Sequence, residues 1–140
     1  FDDAKDAQLA IEAIVENEAA KKDTFQKLDA LLGPDAILAS NTSSISITRL
    51  AAATKRPAQF IGLHFFSPVD RMGLVEIIKG EKTSAAALAV ALDFVAKLRK
   101  TPIVVNDSRG FYTSRVFQTL IHEGAGAIPP FRLRWNVSSG

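Results

Sequence analysis

The 140-residue chain contains no cysteine. That absence excludes disulfides, thiolate zinc sites and a cysteine nucleophile, and it fits a reducing compartment. No stretch approaches the roughly 18 uninterrupted apolar residues of a membrane helix, so no bilayer span is expected. The first residues, Phe1-Asp2-Asp3-Ala4-Lys5-Asp6, are acidic and polar rather than basic and then apolar, which predicts no export signal. Neither sign of charge dominates, with 17 lysines and arginines against 15 acids. A net charge of +2 at pH 7 is too small to point to nucleic acid, although a local basic patch suffices for a phosphate-bearing ligand. Internal repeats and low-complexity tracts are absent. What is there, 47% hydrophobic and 23% charged residues, has the balance of a globular domain with its own core. The length is short for a two-domain enzyme, which raises the expectation that the chain is a piece of something larger.

The hydrophobic pattern alternates between two periods. Leu9 to Val15 reads as a buried strand and Glu18 to Leu32 as a helix, with Phe25, Leu28, Leu31 and Leu32 at helical spacing and Gly33-Pro34 as its stop. Ala36 to Ala39 is the next strand. Ser44 or Ser46 caps a brief helix through Leu50 to Ala53, and Gln59 to Phe66 form a third strand. Strand, helix, strand, helix, strand implies a parallel sheet with helices packed on its faces. Only Ser67 to Gly73 then separate this strand from Leu74 to Ile78, too few residues for a crossover helix, so these two strands are expected to run antiparallel. A longer helix is predicted from Thr83 or Ser84 to Leu98, with Leu88, Leu92, Val95 and Leu98 on one stripe and Lys97, Arg99 and Lys100 at its negative end. Pro102 to Val105 makes a last strand, and the turn-rich Asn106 to Gly110 marks the best domain boundary. Beyond it, Phe111 to Glu123 reads as a helix whose face of Val116, Phe117, Leu120 and Ile121 has no partner downstream. Gly124-Ala125-Gly126 and Pro129-Pro130 are expected to end it, and Phe131 to Gly140 show no fold signal.

Three residues carry chemistry. His64 ends an apolar strand, Glu76 lies on the next strand, and Ser43 follows the preceding one. Imidazole has the one side-chain pKa near neutrality and suits a general base. A carboxylate inside an apolar strand needs a partner, because burying it alone costs several kcal/mol. Each has a plainer reading: a structural histidine, a serine that helps cap the helix after it. Glu16 and Lys21 sit where a helix begins and would ordinarily be solvated. His122 is expected to have no role, and no metal site is expected.

Five strings in order, Glu12-Ala13-Ile14-Val15-Glu16-Asn17, Ala39-Ser40-Asn41-Thr42-Ser43-Ser44, Gly62-Leu63-His64-Phe65-Phe66-Ser67-Pro68, Leu74-Val75-Glu76-Ile77-Ile78 and Gly110-Phe111-Tyr112-Thr113-Ser114-Arg115, resemble the 3-hydroxyacyl-CoA dehydrogenase family of fatty-acid β-oxidation. The resemblance runs from Phe1 to about Gly126. It implies an α/β fold, the second half of a doubly wound, mostly parallel Rossmann-type sheet followed by the first helix of an α-helical C-terminal domain. On that reading residues 1–107 are a partial NAD-binding domain, 108–127 begin the helical domain and 128–140 are an irregular tail. The implied activity is NAD-dependent oxidation of a 3-hydroxyacyl-CoA to the 3-ketoacyl-CoA. His64 would be the catalytic base and Glu76 its partner, with Ser43 and Ser114 binding substrate. Glu16, Lys21, Ser43 and Asn41 would line the cofactor cleft. Implied partners are an acyl-CoA substrate and, for a longer parent chain, a homo-oligomer or a β-oxidation complex, with no nucleic acid and no membrane span. The implied location is cytoplasmic, or the mitochondrial matrix or peroxisome in a eukaryote. Ser67 and Ser114 stand where monofunctional members commonly have asparagine, which leans toward the multifunctional branch.

The chain departs from the family pattern in having no Gly-x-Gly-x-x-Gly turn after a strand and no ribose-binding acid about 20 residues beyond it. Gly124-Ala125-Gly126 follows a helix and is not that motif. The tail from Ile128 also lies outside the resemblance. Two other readings stay open: a catalytically silent fragment with residual acyl-CoA binding, and a hydrolase using Ser43, His64 and Glu76, whose Asn41-Thr42-Ser43-Ser44 lacks the glycines of a nucleophile elbow. The expected behaviour of the 140 residues alone is that they neither bind NAD tightly nor oxidise a 3-hydroxyacyl-CoA, since no glycine-rich turn cradles the pyrophosphate. Calorimetry with NAD checks this, and micromolar binding would overturn it.

Overall fold

A computed structural model describes residues 4–127. Five strands form one sheet in the order β1 (Leu9–Glu12), β2 (Ile37–Ser40), β3 (Phe60–Phe65), β4 (Leu74–Lys79) and β5 (Thr101–Asn106). The pairs β1–β2 and β2–β3 are parallel, β3–β4 is antiparallel, and β4–β5 is parallel again. The short connection between β3 and β4 thus has the predicted consequence. The last turns of β1, β2 and β3 and the first residues of β4 and β5 share one rim of the sheet.

Helices cover both faces. The apolar residues of α1 (Glu18–Leu31) and α2 (Ile47–Ala51) pack with Leu38, Phe60 and Ile78 on one face, while α3 (Ala85–Lys97) packs with Ile37, Ala39, Ile61, Leu63, Val75 and Ile77 on the other. Side chains along a strand alternate faces, so these two sets fall out of residue parity. The helix starts are chemically specified. Asn17, Ser46 and Ser84 each accept a backbone N–H of the first turn of α1, α2 and α3. Of the two serines that the pattern offers for α2, Ser46 is the cap.

Several elements differ from the sequence reading. β1 stops at Glu12 rather than Val15, because the Glu12 carboxylate accepts the Ile14 N–H (2.6 Å) and turns the chain away from the sheet, leaving Val15 70% exposed. The buried stripe of α3 is Ala87, Ala91 and Val95, with Leu88 and Leu92 only flanking it and Leu98 exposed. Small residues along one i, i+4 row let the helix lie close to the sheet, and the leucines fill the sides. The last helix, α4 (Thr113–Ala127), begins two residues later than predicted, since Gly110 (φ 75°) and Phe111 (φ 46°) form a left-handed turn. It also runs on through Gly124, whose Cα faces open space. A glycine in an exposed helix costs about 1 kcal/mol against alanine, which weakens the helix without ending it. Pro129-Pro130 and the expected irregular tail lie outside the described residues.

Gly62 on β3 is held between two neighbours. A Cβ there would sit 2.8 Å from Cβ of Ile78 and 2.9 Å from the Ile47 side chain. Gly62→Ala is expected to destabilise the fold by about 1–3 kcal/mol through overpacking. A thermal melt followed by circular dichroism checks this, and an unchanged midpoint would contradict the packing described.

Candidate active site

His64 is the fifth residue of β3 and Glu76 the third of β4, and the antiparallel register makes them direct cross-strand partners. They share a face. Nδ1 of His64 lies 2.8 Å from Oε2 of Glu76, the imidazole is nearly buried and the carboxylate completely so. Three more donors reach the carboxylate. Oε1 accepts the backbone N–H groups of Tyr112 (3.1 Å) and Thr113 (2.8 Å), and Oε2 accepts the Thr113 hydroxyl (2.7 Å). The start of α4 is therefore aimed at Glu76. Burial pushes this carboxyl up, but the hydrogen bonds from His64 and from the Thr113 N–H and O–H outweigh it and hold the group below the ordinary glutamate value. An ionised carboxylate only accepts, so the neutral imidazole carries its proton on Nδ1. Nε2 makes no hydrogen bond among the described residues, and Phe66 lies beside the ring with centroids 4.6 Å apart.

A second polar network occupies the same face at the ends of β1 and β2. Glu12 and Ser40 are register partners, and the Ser40 hydroxyl donates to Glu12 Oε2 (2.7 Å). Lys21 reaches Glu12 Oε1 at 2.6 Å with both side chains buried. Lys21, for which solvation was the plain reading, is thus a core ammonium. Its Nζ also lies 3.5 Å from Oε2 of Glu16. Glu16 in turn gathers the loop after β2: its Oε1 accepts the Thr42 hydroxyl, the N–H groups of Ser43 and Ser44 (3.0 Å each) and the Ser44 hydroxyl (3.0 Å). Partial burial works to raise the Glu16 carboxyl, and these four bonds bring it below its ordinary value.

Asn41 ties the loop to the dyad strand, its Oδ1 accepting the Phe65 N–H at 2.8 Å. The Ser43 hydroxyl and the Asn41 side-chain NH2 have no hydrogen-bond partner among the described residues. The structure thus brings His64 and Glu76 into contact. It places Asn41 and Ser43 on the loop after β2, Glu16 on the connection from β1 to α1 against that loop and Lys21 in α1 beneath them, and leaves Ser43 without a hydrogen bond to His64 among the described residues. Ser114, on the first turn of α4, lines an open groove of about 450 Å³ with Phe66, Tyr112, Val116, Phe117 and Leu120. Sequence reasoning missed Glu12 as the partner of Lys21, and Thr113 as a ligand of Glu76. The signal for the first was an acid inside an apolar run read as a strand, the same signal that singled out Glu76.

Residues 1–108 match the family model described as 3-hydroxyacyl-CoA dehydrogenase, NAD binding domain. Among curated proteins, the fatty acid oxidation complex subunit alpha of Colwellia psychrerythraea is 46% identical, the match covering 89% of this chain and 18% of that protein. The probable 3-hydroxybutyryl-CoA dehydrogenase of Deinococcus radiodurans is 48% identical, covering 86% of this chain and 44% of its own length. Among solved structures, the (S)-3-hydroxybutyryl-CoA dehydrogenase of Ralstonia eutropha superposes with a TM-score of 0.87 at 43% identity, over 92% of this chain and 47% of that one. The chain thus spans between about a fifth and about half of the length of these relatives.

A carboxyl held below its unfolded value contributes stability that is full above that value and is lost as pH falls through the folded one. Glu76→Gln is accordingly expected to cost about 3 kcal/mol at neutral pH, since an amide offers one acceptor oxygen to four donors. The difference from the unsubstituted chain should shrink on acidification as its own carboxyl protonates. Urea melts of both chains at neutral and successively lower pH check this, and a pH-independent difference would contradict the assigned hydrogen bonding.

Proposed function

The chain belongs to the 3-hydroxyacyl-CoA dehydrogenase family, and on that premise we propose that its dyad serves the NAD-dependent oxidation of a 3-hydroxyacyl-CoA to the 3-ketoacyl-CoA. The observation that carries the proposal is the His64–Glu76 pair: a base with its Nδ1 proton committed to a buried carboxylate and its Nε2 without a hydrogen bond among the described residues. Oxidising a secondary alcohol requires a proton to leave oxygen while a hydride leaves carbon. His64 Nε2 takes the proton, and Glu76 balances the imidazolium that results. The free hydroxyl of Ser43 is suited to donate to the substrate oxygen, and Ser114 faces the apolar groove fit for an acyl chain.

NAD fits the polar rim beside the dyad. Ligands of such sheets sit beyond the carboxyl ends of the parallel strands, and there the uncommitted Ser43 hydroxyl and Asn41 amide offer donors while Glu16 offers an acceptor. Those are the groups that a carboxamide-bearing ring calls for. When bound, the cofactor supplies the hydride acceptor. Asn41, Ser43 and Glu16 would hold its nicotinamide end, and Lys21 would support Glu16 from the core. Residues 1–107 are read as part of the cofactor domain and 108–127 as the start of a helical domain that carries the acyl groove.

The substrate class, an acyl-CoA, and a setting in fatty-acid oxidation follow from the same reading, as does assembly into a homo-oligomer or an oxidation complex in a cytoplasmic or organellar matrix. No helix among the described residues is long and apolar enough to cross a membrane. The hydrolase reading has no geometric support, because the Ser43 hydroxyl makes no hydrogen bond to His64 among the described residues.

In an active enzyme carrying these residues, His64→Gln and Glu76→Gln are each expected to lower kcat about 10²- to 10⁴-fold with little change in NAD affinity, since both groups act on transition-state charge. Absorbance of reduced cofactor with 3-hydroxybutyryl-CoA, together with calorimetry for NAD, checks both. Retained turnover in the Glu76→Gln enzyme would make the carboxylate structural.

A further inference from the structure

We propose that Thr113 is a positioning residue of the dyad: its hydroxyl shares Oε2 of Glu76 with Nδ1 of His64, so that the first turn of α4 sets how the carboxylate meets the imidazole. The proposal rests on the function assigned to the dyad above. Glu76 has two oxygens with about four lone-pair directions, and four donors fill them. Two of these, the N–H groups of Tyr112 and Thr113 on Oε1, come from the backbone and are indifferent to side-chain identity. The donor at 2.7 Å on Oε2 is not: among natural residues at a helix start, serine and threonine alone place a hydroxyl there. Residue 113 thereby carries chemical specificity that the backbone alone does not provide.

The hydroxyl does what the backbone donors leave undone. The terminal torsion of a glutamate is soft, so a carboxylate pinned by Oε1 alone still swings its other oxygen about that anchor. Thr113 closes this freedom at the same oxygen that His64 meets, and a β-branched residue in a helical turn has few rotamers with which to follow a swing. The chain leading to Thr113 is itself constrained. Gly110 and Phe111 are left-handed, Phe111 is buried, and Asp107 accepts the Ser46 hydroxyl (2.6 Å) and the Thr48 N–H (2.8 Å), fastening the turn to α2. Thr113 also borders the groove that holds Ser114, so a single helical turn touches both the dyad and the acyl groove. Any shift of α4 is felt at Oε2. The groups facing Glu76 are His64 from β3, Ile103 as its register partner on β5, and Tyr112 and Thr113 at the start of α4. His64 is the one other titratable side chain among its hydrogen-bond partners.

The test uses Thr113→Val, which keeps the shape and removes the donor, Thr113→Ser, which restores it, and Thr113→Ala should the valine variant fail to fold. In the 140-residue chain, the Glu76 carboxyl carbon followed by NMR should titrate at higher pH in Thr113→Val or Thr113→Ala than in the unsubstituted chain, and Thr113→Ser should return it. In an active enzyme carrying these residues, Thr113→Val should lower kcat about tenfold with KM for NAD unchanged, and Thr113→Ser should recover most of the loss. A Glu76 titration that Thr113→Val leaves in place overturns the proposal, as does a loss of kcat that serine does not recover. A shifted titration in the 140-residue chain, combined with no dehydrogenase activity in a full-length enzyme carrying these residues, supports the hold on Glu76 and counts instead against the function assigned to the dyad.

Discussion

The structure depends on where it buries the charge of Glu76. A carboxylate with no exposed surface, on an interior strand, stands only if its donors are in place, and removing one partner of such a group typically costs about 3–5 kcal/mol. Those donors come from two elements far apart in sequence: the imidazole of β3 across the ladder, and the first turn of α4, some 37 residues downstream. One buried anion thus fixes the register of the β3–β4 pair and the point at which the last helix begins. The left-handed turn at Gly110-Phe111 is the backbone's answer to that demand. A non-glycine residue there costs about 1–2 kcal/mol, and the helix start it delivers to Glu76 repays that strain.

The same device occurs twice along one face. Glu12 and Glu76 both end up buried at the same rim, and both are satisfied by one side-chain cation or ring, one hydroxyl and backbone N–H groups. Their partners set them apart. Lys21 has nothing further to give, because its ammonium is spent on Glu12, the Ile14 carbonyl and Glu16. His64 has two nitrogens and commits one. The first network therefore holds a loop in place, whereas the second leaves a basic atom free at the surface of the site. Glu16 links the two halves of the rim by gathering Thr42, Ser43 and Ser44, and Asn41 passes the restraint on to β3.

Much of this was legible in the residues. Parity along β3 and β4, with a connection too short for a helix, is enough to place His64 opposite Glu76. The alternation of strand and helix periods gives the parallel part of the sheet. What stayed hidden depends on contacts between distant segments. Lys21 carries no mark in a helix whose start is otherwise polar, and its burial follows from Glu12 lying under it. The packing stripe of α3 was read from its largest residues, yet it is the small Ala87 and Ala91 that touch the sheet, because close approach favours small side chains. The early end of β1 and the late start of α4 come from a carboxylate capturing N–H groups, a tertiary effect with no local periodicity to announce it.

The central claim is that Glu76, held by the start of α4, keeps the His64 proton on Nδ1 and leaves Nε2 free. Nitrogen-15 NMR of the imidazole at mildly alkaline pH tests this most directly, with His122→Gln used to assign the two histidines. The account predicts that His64 is the Nδ1–H tautomer and that Glu76→Gln abolishes this preference. A His64 protonated on Nε2 in the unsubstituted chain would contradict it.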